Sequence, residues 1–274
     1  MQALSMGHAI DPKRAALGRL HSVFAHAVNL EIQGDLWTLV SCDRSDLPFG
    51  IRVASSDFVT AGLKRDDTVH VRAGWVGIRT RGSGVVIDCR GASRWIPTWE
   101  VKHEPGLESR LCAVSVAAFH RAWHGSASLS DAVVCALNDR QTLVKVLARV
   151  IGHGPGCTPA GDDVLAGVLA VLKSPHVGPD GAEAGQALCH AMLPLLATTT
   201  DISAYLLRQA ARGLFGRAVH DMVCALIGDT VPRDLRAAIQ RVIEAGATSG
   251  ADLCLGMLAS ARAFLVTDHE RAAA

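Results

Sequence analysis

The sequence predicts an α+β fold in which a β-rich, barrel- or sandwich-like domain precedes an α-helical bundle domain. Over roughly the first hundred residues, apolar residues come in short runs separated by turn residues. After Glu104-Pro105-Gly106 the apolar residues follow the 3.6-residue period of helices. With 274 residues the chain is long enough for two domains. We therefore expect a β-rich domain over residues 1–104 and a helical domain over residues 105–274.

The predicted strands are short runs rich in Val, Ile and Trp. They cover residues 23–32, 36–42, 51–55, 68–73, 75–78, 84–89 and 93–99. Turn residues such as Gln33-Gly34-Asp35 and Arg81-Gly82-Ser83-Gly84 separate them. Short strands with such regular punctuation are typical of a small barrel or sandwich.

The predicted helices occupy most of the second domain. They cover residues 107–123, 129–138, 140–151, 162–173, 182–196, 202–211, 218–227, 232–244 and 250–265. Gly125 should end the first of them, Gly152 stands where a C-terminal glycine cap belongs, and Pro232 suits a first helical position.

The composition restricts the class of protein. The hydrophobic content of 49% and the mean hydropathy of +0.25 predict helices that are buried on more than one side, or a large subunit interface. The net charge of +1 gives no indication of nucleic-acid or membrane binding. Residues 1–10 lack the features of a signal peptide, and the eight cysteines show no metal or disulfide spacing. We expect a cytoplasmic protein with reduced thiols and no membrane span.

The strongest functional signal is the segment Gly152-His153-Gly154-Pro155-Gly156-Cys157-Thr158-Pro159-Ala160-Gly161-Asp162-Asp163, which precedes an apolar helix. Thr158 and Pro159 read as an N-cap and a first helical residue, and Gly161 would allow a close approach to the backbone. Free N–H groups at a helix start favour anions, but Asp162 and Asp163 would repel a bare phosphate. A magnesium-bridged phosphate, or an amine or hydroxyl, fits better. The alternative is a well-capped helix start without a ligand.

A second segment resembles the first. Gly246-Ala247-Thr248-Ser249-Gly250-Ala251-Asp252 also opens an apolar helix. When Gly161 is aligned with Gly250, Asp163 pairs with Asp252 and Gly167 pairs with Gly256. Mid-helix glycine costs about 1 kcal/mol relative to alanine, so it usually serves close packing or function. We predict that the two helices cross near Gly167 and Gly256 and that both aspartates point to one pocket. Because Gly, Leu and Ala are abundant here, part of the similarity is due to chance.

Three weaker signals accompany these loops. Thr198-Thr199-Thr200-Asp201-Ile202-Ser203 is either a third helix start facing the pocket or a solvated turn. His153 is either an acid–base group or a polar loop residue. Cys157 lacks a basic partner other than His153, which argues against a nucleophile.

The Gly-x-Gly-Pro-Gly-x-Thr-Pro-x-Gly-Asp-Asp loop, the 199–203 stretch and the late Gly-Ala-Thr-Ser-Gly-Ala-Asp segment resemble the AllH-like family, long a domain of unknown function. That family includes a subunit of oxamate carbamoyltransferase from purine (allantoin) catabolism. The resemblance implies FdrA-like and AllG-like partner subunits, and the interconversion of oxalurate and phosphate with oxamate and carbamoyl phosphate. The motif positions carried over are Gly154, Gly156, Thr158, Pro159, Gly161, Asp162, Asp163, Thr200, Ser203, Thr248, Ser249, Gly250 and Asp252. Cys157 and Ala160 stand where Leu and Ser are more common in the family, which argues against a direct role of position 160.

Two functions fit these features. The first is a transferase subunit that handles a carbamoyl- or acyl-phosphate-like group, with Asp163, Asp252 and His153 as the catalytic candidates. The ligand would be bound by Gly154, Gly156, Thr158, Gly161, Asp162, Thr200, Ser203, Thr248, Ser249 and Gly250. The sequence establishes no cofactor, and Mg²⁺ on Asp163 and Asp252 is the candidate. The second function is a non-catalytic subunit that binds a small ligand or only holds its partners together.

Overall fold

The computed structural model describes residues 1–55, 58, 61–80, 82, 84–99, 106–228 and 235–265. The chain forms two compact units, Met1–Thr98 and Trp99–Ala274. The first unit contains the strands and the second contains the helices, which confirms the predicted α+β class. The predicted boundary near residue 104 lies outside the described residues.

The first unit is a single curled sheet of nine strands, as far as the structure describes it. The strands are β1 (Ala3–Gly7), β2 (Ala16–Val23), β3 (Ala27–Ile32), β4 (Asp35–Val40), β5 (Gly50–Val53), β6 (Thr68–Arg72), β7 (Trp75–Arg79), β8 (Gly84–Asp88) and β9 (Ser93–Trp95). Their order in the sheet is β8-β7-β6-β2-β3-β4-β5-β1-β9. An isolated bridge between Gln2 and Asp88 brings β8 back to the start of β1, so the sheet curls into a half-barrel.

The sequence analysis missed two strands. It left β1 unassigned and included only the last residue of β2, because neither segment shows a long Val/Ile-rich run. In β2 only Leu20 is fully buried, so the strand owes its place to hydrogen bonding with β3 and β6. The neighbouring β6 alternates between exposed and buried residues, and this is the pattern that sequence periodicity detects.

The second unit is built from helices at all nine predicted places. The described helices are α1 (Leu107–Phe119), α2 (Ser126–Ala136), α3 (Arg140–Val150), α4 (Ala160–Leu172), α5 (Pro179–Met192), α6 (Asp201–Ala211), α7 (Arg217–Ile227), α8 (Leu235–Ile243) and α9 (Ser249–Phe264). A 3-10 helix at Leu193–Thr198 follows α5. None of the helices in the described part of the chain is long and apolar enough to cross a membrane.

Some helix ends differ from the prediction. The first helix ends at Phe119 with His120 as its C-cap, so the predicted end at Gly125 is wrong; Gly125 instead precedes α2. The main motif helix begins at Ala160 with Pro159 as its N-cap, one residue later than Thr158 and Pro159 suggest. The predicted start at Pro232 lies outside the described residues.

Helices α4 and α9 form the centre of this unit. Every residue of α4 except Ala166 is buried, which confirms the expectation of a helix covered on several sides. Apolar side chains of α1, α7 and α8 pack on one side, and those of α2, α3, α5 and α6 pack on the other. The burial of α4 leaves little room for side chains at the crossing with α9, where Gly167 and Gly256 lie.

Candidate functional site

The crossing of α4 and α9 is reciprocal. A Cβ on Gly167 would lie 2.0 Å from the carbonyl oxygen of Leu253, and a Cβ on Gly256 would lie 2.1 Å from that of Val164. Leu253 and Val164 each stand three residues after the aligned glycines of the two motifs. The contacts therefore relate the two helices by an approximate two-fold axis, and the predicted crossing is confirmed.

The same arrangement joins the two loops. The hydroxyl groups of Thr158 and Ser249 lie 2.8 Å apart, although the residues are 91 positions apart in the chain. Asp252 contributes to the electrostatic environment of Asp163. The expected convergence of the two aspartates on one side of the helical unit is therefore confirmed.

The glycines that open the two helices allow a close approach to the backbone, as predicted for Gly161. A Cβ on Gly161 would lie 2.0 Å from the carbonyl oxygen of Val150, and a Cβ on Gly250 would lie 1.8 Å from that of Val242. Both residues are buried, so the close approach at each glycine is made by the end of the preceding helix and not by a ligand. This packing explains why both motifs contain the glycine.

Asp162 joins three segments. Its Oδ1 accepts a hydrogen bond of 2.9 Å from the amide of Gly152, and its Oδ2 accepts one of 2.6 Å from the Ser203 hydroxyl. The Thr199 hydroxyl also donates to Oδ2. With only 2% of its surface exposed, this carboxylate is a structural centre whose two oxygens are both occupied.

The third polar helix start belongs to the same cluster. Thr200 is the N-cap of α6 and accepts a hydrogen bond of 3.1 Å from the amide of Ser203. Its hydroxyl donates to the carbonyl oxygen of Cys157 at 2.6 Å. Of the two alternatives for this segment, the structure shows the helix start joined to the loop.

Asp163 lies in the first turn of α4 and is about nine tenths buried. Its pKa is raised to about 8, mainly by burial and also by the nearby Asp252 and Asp162, although hydrogen bonds from the hydroxyls of Ser249 and Thr158 oppose the shift. Its Oδ2 is buried and has no hydrogen-bond partner among the described residues. The carboxyl group therefore holds its proton near neutral pH unless a positive charge is supplied.

Asp252 is the equivalent residue on α9 and is fully buried. Its Oδ1 accepts hydrogen bonds of 2.7 Å from the amide of Trp123 and 2.6 Å from the Ser126 hydroxyl. Its Oδ2 is buried without a partner in the described part of the chain, as is that of Asp163. The sequence analysis missed Trp123 and Ser126, because the serine-rich start of α2 also reads as an ordinary helix cap.

The two motif threonines do not cap their helices in the predicted way. Pro159, at the N-cap of α4, provides no side-chain bond, and Thr158 instead turns its hydroxyl to Ser249 and Asp163. Thr248 is the N-cap of α9, but its side chain makes no capping hydrogen bond. The local pattern therefore located the helix starts correctly, but the Thr158 side chain bonds to the neighbouring helix α9 and does not cap α4.

The loop before α4 contains backbone groups and a side chain that could meet a ligand. Gly154 and Gly156 have φ angles of 113° and 96°, a region that favours glycine. Their amides have no acceptor among the described residues. His153 is exposed, and the centre of its ring lies 5.2 Å from that of Trp123. The loop thus presents amides and an imidazole, whereas the carboxyl groups of Asp163 and Asp252 are buried.

The site offers few ligands for a metal ion. No group of three or more His, Cys, Asp or Glu side chains within the described ranges would hold one. Asp163 and Asp252 supply two carboxyl groups, and Thr158 and Ser249 add hydroxyl oxygens beside Asp163. An ion at this pair would be a hard cation such as Mg²⁺, which prefers oxygen ligands and is often held by one or two carboxylates together with substrate oxygens.

Two family models match the chain. The model described as oxamate carbamoyltransferase subunit AllH matches residues 150–261, and the model described as the AllH family N-terminal domain matches residues 2–94. Together the matches span about three quarters of the chain. The match to the AllH subunit model begins just before the glycine-rich loop and ends inside α9, so it contains both motifs. No solved structure matches the chain.

Proposed function

Since the chain belongs to the AllH family, whose description names a subunit of a transferase, we propose that it is a subunit of an oxamate carbamoyltransferase-type complex. Within this proposal the cluster of helix starts binds a small carbamoyl- or acyl-phosphate-like ligand. The proposed partners are a FdrA-like and an AllG-like subunit. The reaction would interconvert oxalurate and phosphate with oxamate and carbamoyl phosphate.

The observation that carries this proposal is the pair of unpartnered carboxyl oxygens. The Oδ2 atoms of Asp163 and Asp252 are buried without a hydrogen bond among the described residues. Buried polar atoms are usually paired, so two such atoms on aspartates that interact electrostatically are candidates for contact with a ligand or ion. A carbamoyl group has an NH₂ that donates and a carbonyl oxygen that accepts. The Oδ2 of Asp252 accepts from the NH₂, and Asp163 binds the carbonyl, either by donating its proton or through a bound cation.

The phosphate part of such a ligand would bind to the loop. The amides of Gly154 and Gly156 are available, and the positive end of the α4 dipole lies close by. The first amides of α4 are used internally: Gly161 donates to the His153 carbonyl, and Asp162 and Asp163 donate to that of Pro159. The phosphate would therefore sit on the loop and not on the helix start itself.

Carbamoyl transfer suits this arrangement because it needs no covalent enzyme nucleophile. In the proposed direction, the amide nitrogen of oxamate attacks the carbamoyl carbon, the bond to the phosphate oxygen breaks, and the nitrogen loses a proton. A carboxylate at Asp252 would accept this proton, and His153 at the rim would hold the leaving phosphate. Donors directed at the developing oxyanion, the loop amides among them, would lower the barrier.

A non-catalytic subunit is the second candidate function. It is favoured by the three hydrogen bonds to Asp162, which all come from groups of the protein itself, and by an exposed apolar stripe on α1. On that stripe Val116 is 68% exposed and Phe119 is 63% exposed. In this case the polar cluster would stabilise the helical unit, and the partner subunits would carry the reaction.

Calorimetric titration tests the two functions. Carbamoyl phosphate and oxamate are titrated, with and without Mg²⁺, into the wild type, Asp163→Asn and Asp131→Asn, an exposed carboxylate on α2. The catalytic proposal predicts binding to the wild type and Asp131→Asn and weak or no binding to Asp163→Asn. If no ligand binds the isolated chain, and Asp163→Asn leaves the turnover of the reconstituted complex unchanged, the site is not catalytic.

A further inference from the structure

We propose that Asp163 and Asp252 together hold one divalent cation of the Mg²⁺ class between the first turns of α4 and α9. The inference uses the site of the proposed function and deepens it by naming a cofactor. The cation-binding test does not require the transfer reaction to occur.

The balance of charge at this place is the first argument. Asp162, Asp163 and Asp252 are all buried at the starts of two helices. Asp162 is satisfied by one amide and two hydroxyls, but the other two carboxyl groups each have an oxygen without a partner. The pKa of Asp163 responds to burial, to the hydroxyls of Ser249 and Thr158 and to two neighbouring carboxyl groups, and no basic side chain in the described part of the chain lowers it. Buried carboxylates are very costly without a positive charge, which a bound cation would supply.

The orientation of the carboxyl groups is the second argument. Asp252 is completely buried, and its Oδ1 is held by the Trp123 amide and the Ser126 hydroxyl, while its Oδ2 remains unpaired. In metal sites the carboxylates that bind the ion are themselves fixed by further hydrogen bonds. Asp252 shows this pattern on its Oδ1, while its Oδ2 has no partner among the described residues. The hydroxyls of Ser249 and Thr158 support Asp163 in a similar way.

The donor set defines the kind of ion. Both Oδ2 atoms are buried and have no hydrogen-bond partner among the described residues, so each is available as an oxygen ligand. The donors around it are oxygens, which favour Mg²⁺ over the softer transition metals. Mg²⁺ also keeps positions for substrate oxygens, so the acidic first turns would not repel a phosphate group bound on the loop.

Because the two motifs are related by an approximate two-fold axis, the cation would be bound by one aspartate from α4 and one from α9. Asp163 and Asp252 occupy equivalent positions, two residues after the glycine that opens each helix. An ion bound by one residue from each helix is bound by the folded protein and not by the unfolded chain. Cation binding should therefore raise the unfolding temperature.

The test measures metal binding by the chelator-treated chain alone. Mn²⁺, a paramagnetic substitute for Mg²⁺, is titrated into the wild type, Asp163→Asn, Asp252→Asn and the control Asp131→Asn, and free Mn²⁺ is read by electron paramagnetic resonance. We expect one Mn²⁺ per wild-type or control chain, displaced by Mg²⁺, and at least about tenfold weaker binding in the two other variants. Mg²⁺ should raise the unfolding temperature of the wild type and the control only.

Two results would overturn the cation site: a wild type that binds no Mn²⁺, or binding that survives in both Asp163→Asn and Asp252→Asn. If Asp252→Asn does not fold, Ser249→Ala, which removes a hydroxyl donated to Asp163, replaces it and should bind Mn²⁺ less tightly. Metal binding without any binding of carbamoyl phosphate would leave the cation site standing and count against the proposed function. Binding of carbamoyl phosphate without any metal binding would support the proposed function and count against the cation site.

Discussion

Gly167 of α4 and Gly256 of α9 each lie against the backbone of the opposite helix, and neither position has room for a methyl group. This mutual contact brings the first turns of the two helices, with Asp163 and Asp252, to the same place. The geometry of the site therefore depends on two residues that have no side chain.

Replacing either crossing glycine should destabilise the protein. Gly167→Ala and Gly256→Ala would place a Cβ 2.0 Å and 2.1 Å from a carbonyl oxygen, so the helices must move apart. The cost of about 1–3 kcal/mol for such overpacking should exceed the gain of about 1 kcal/mol in helix propensity. Urea denaturation measures the change. In the control Gly185→Ala on α5, the new Cβ would lie 3.1 Å from the nearest atom, so we expect a smaller loss in the free energy of unfolding. Equal stability of all three variants would contradict the tight crossing.

Removing the Asp162 carboxylate should loosen the loop. Asp162→Asn replaces an acceptor of three hydrogen bonds by an amide that leaves at least one of the three donors unpaired. We expect a loss of about 2–3 kcal/mol in the free energy of unfolding, because hydrogen bonds to a charged group are strong. Ser203→Ala should cost less, since it removes one donor only. Asp139→Asn, at the exposed cap of α3, is the control for loss of a carboxylate. A variant at position 162 as stable as this control would show that the network contributes little.

The stability of chelator-treated protein should depend on the Asp163 proton. The pKa of Asp163 is about 8 in the folded state, against 3.8 as its ordinary value. Between these two values the unfolded chain has lost the proton and the folded chain keeps it, so the free energy of unfolding falls as the pH rises. Above about pH 8 this contribution becomes constant. Asp163→Asn should remove the slope between pH 5 and pH 8, as measured by denaturation at a series of pH values. If the pH dependence of the free energy of unfolding is unchanged in this variant, it arises from other groups.

The eight cysteines should fall into two reactivity classes. Cys42, Cys112, Cys135 and Cys157 are exposed, and the other four are buried. Burial raises the pKa of the Cys89 thiol to about 11 and that of Cys254 to about 12, so neither forms the reactive thiolate near neutral pH. A colourimetric thiol reagent should label four residues quickly in the native protein and all eight after unfolding. Cys157→Ser should reduce the fast count by one. Fast labelling of more than four native thiols would contradict the described burial.

A ligand on the glycine-rich loop should be detectable through Cys157. This thiol is exposed, and its carbonyl oxygen accepts the hydrogen bond from Thr200. Carbamoyl phosphate on the amides of Gly154 and Gly156 would cover the thiol and slow its labelling several-fold. The rate at Cys135 on α2 should stay unchanged and serves as an internal reference. Equal rates at Cys157 with and without carbamoyl phosphate would count against a phosphate position on this loop.

Much of the helical unit could be read from local patterns. The apolar period located all nine helices, and the repeated spacing of Asp163 and Gly167 with Asp252 and Gly256 located the crossing. These predictions succeeded because a mid-helix glycine in an apolar helix has few roles other than close packing. The strands β1 and β2 escaped notice because pairing with other strands, and not their own apolar pattern, places them in the sheet.

The roles of neighbouring residues could not be read in this way. Asp162 and Asp163 are adjacent and chemically identical, yet Asp162 ties Gly152, Thr199 and Ser203 together, whereas Asp163 keeps an unpartnered oxygen near Asp252. Successive side chains on a helix point about 100° apart, so each meets a different part of the structure. The sequence marks both residues as polar groups at a helix start, and only the packing around them distinguishes the two.

By itself, the sequence determined the order of a β-rich and a helical domain, the two related helix starts and their meeting at the glycines. These features rest on periodicity and on backbone space, which are local properties. The tertiary structure alone decided that Trp123 and Ser126, more than 120 positions before Asp252, hold that carboxylate, and that Gly161 and Gly250 lie against the ends of other helices. Hydrogen-bond partners and close contacts between distant segments depend on how the helices pack, and no local pattern of residues records them.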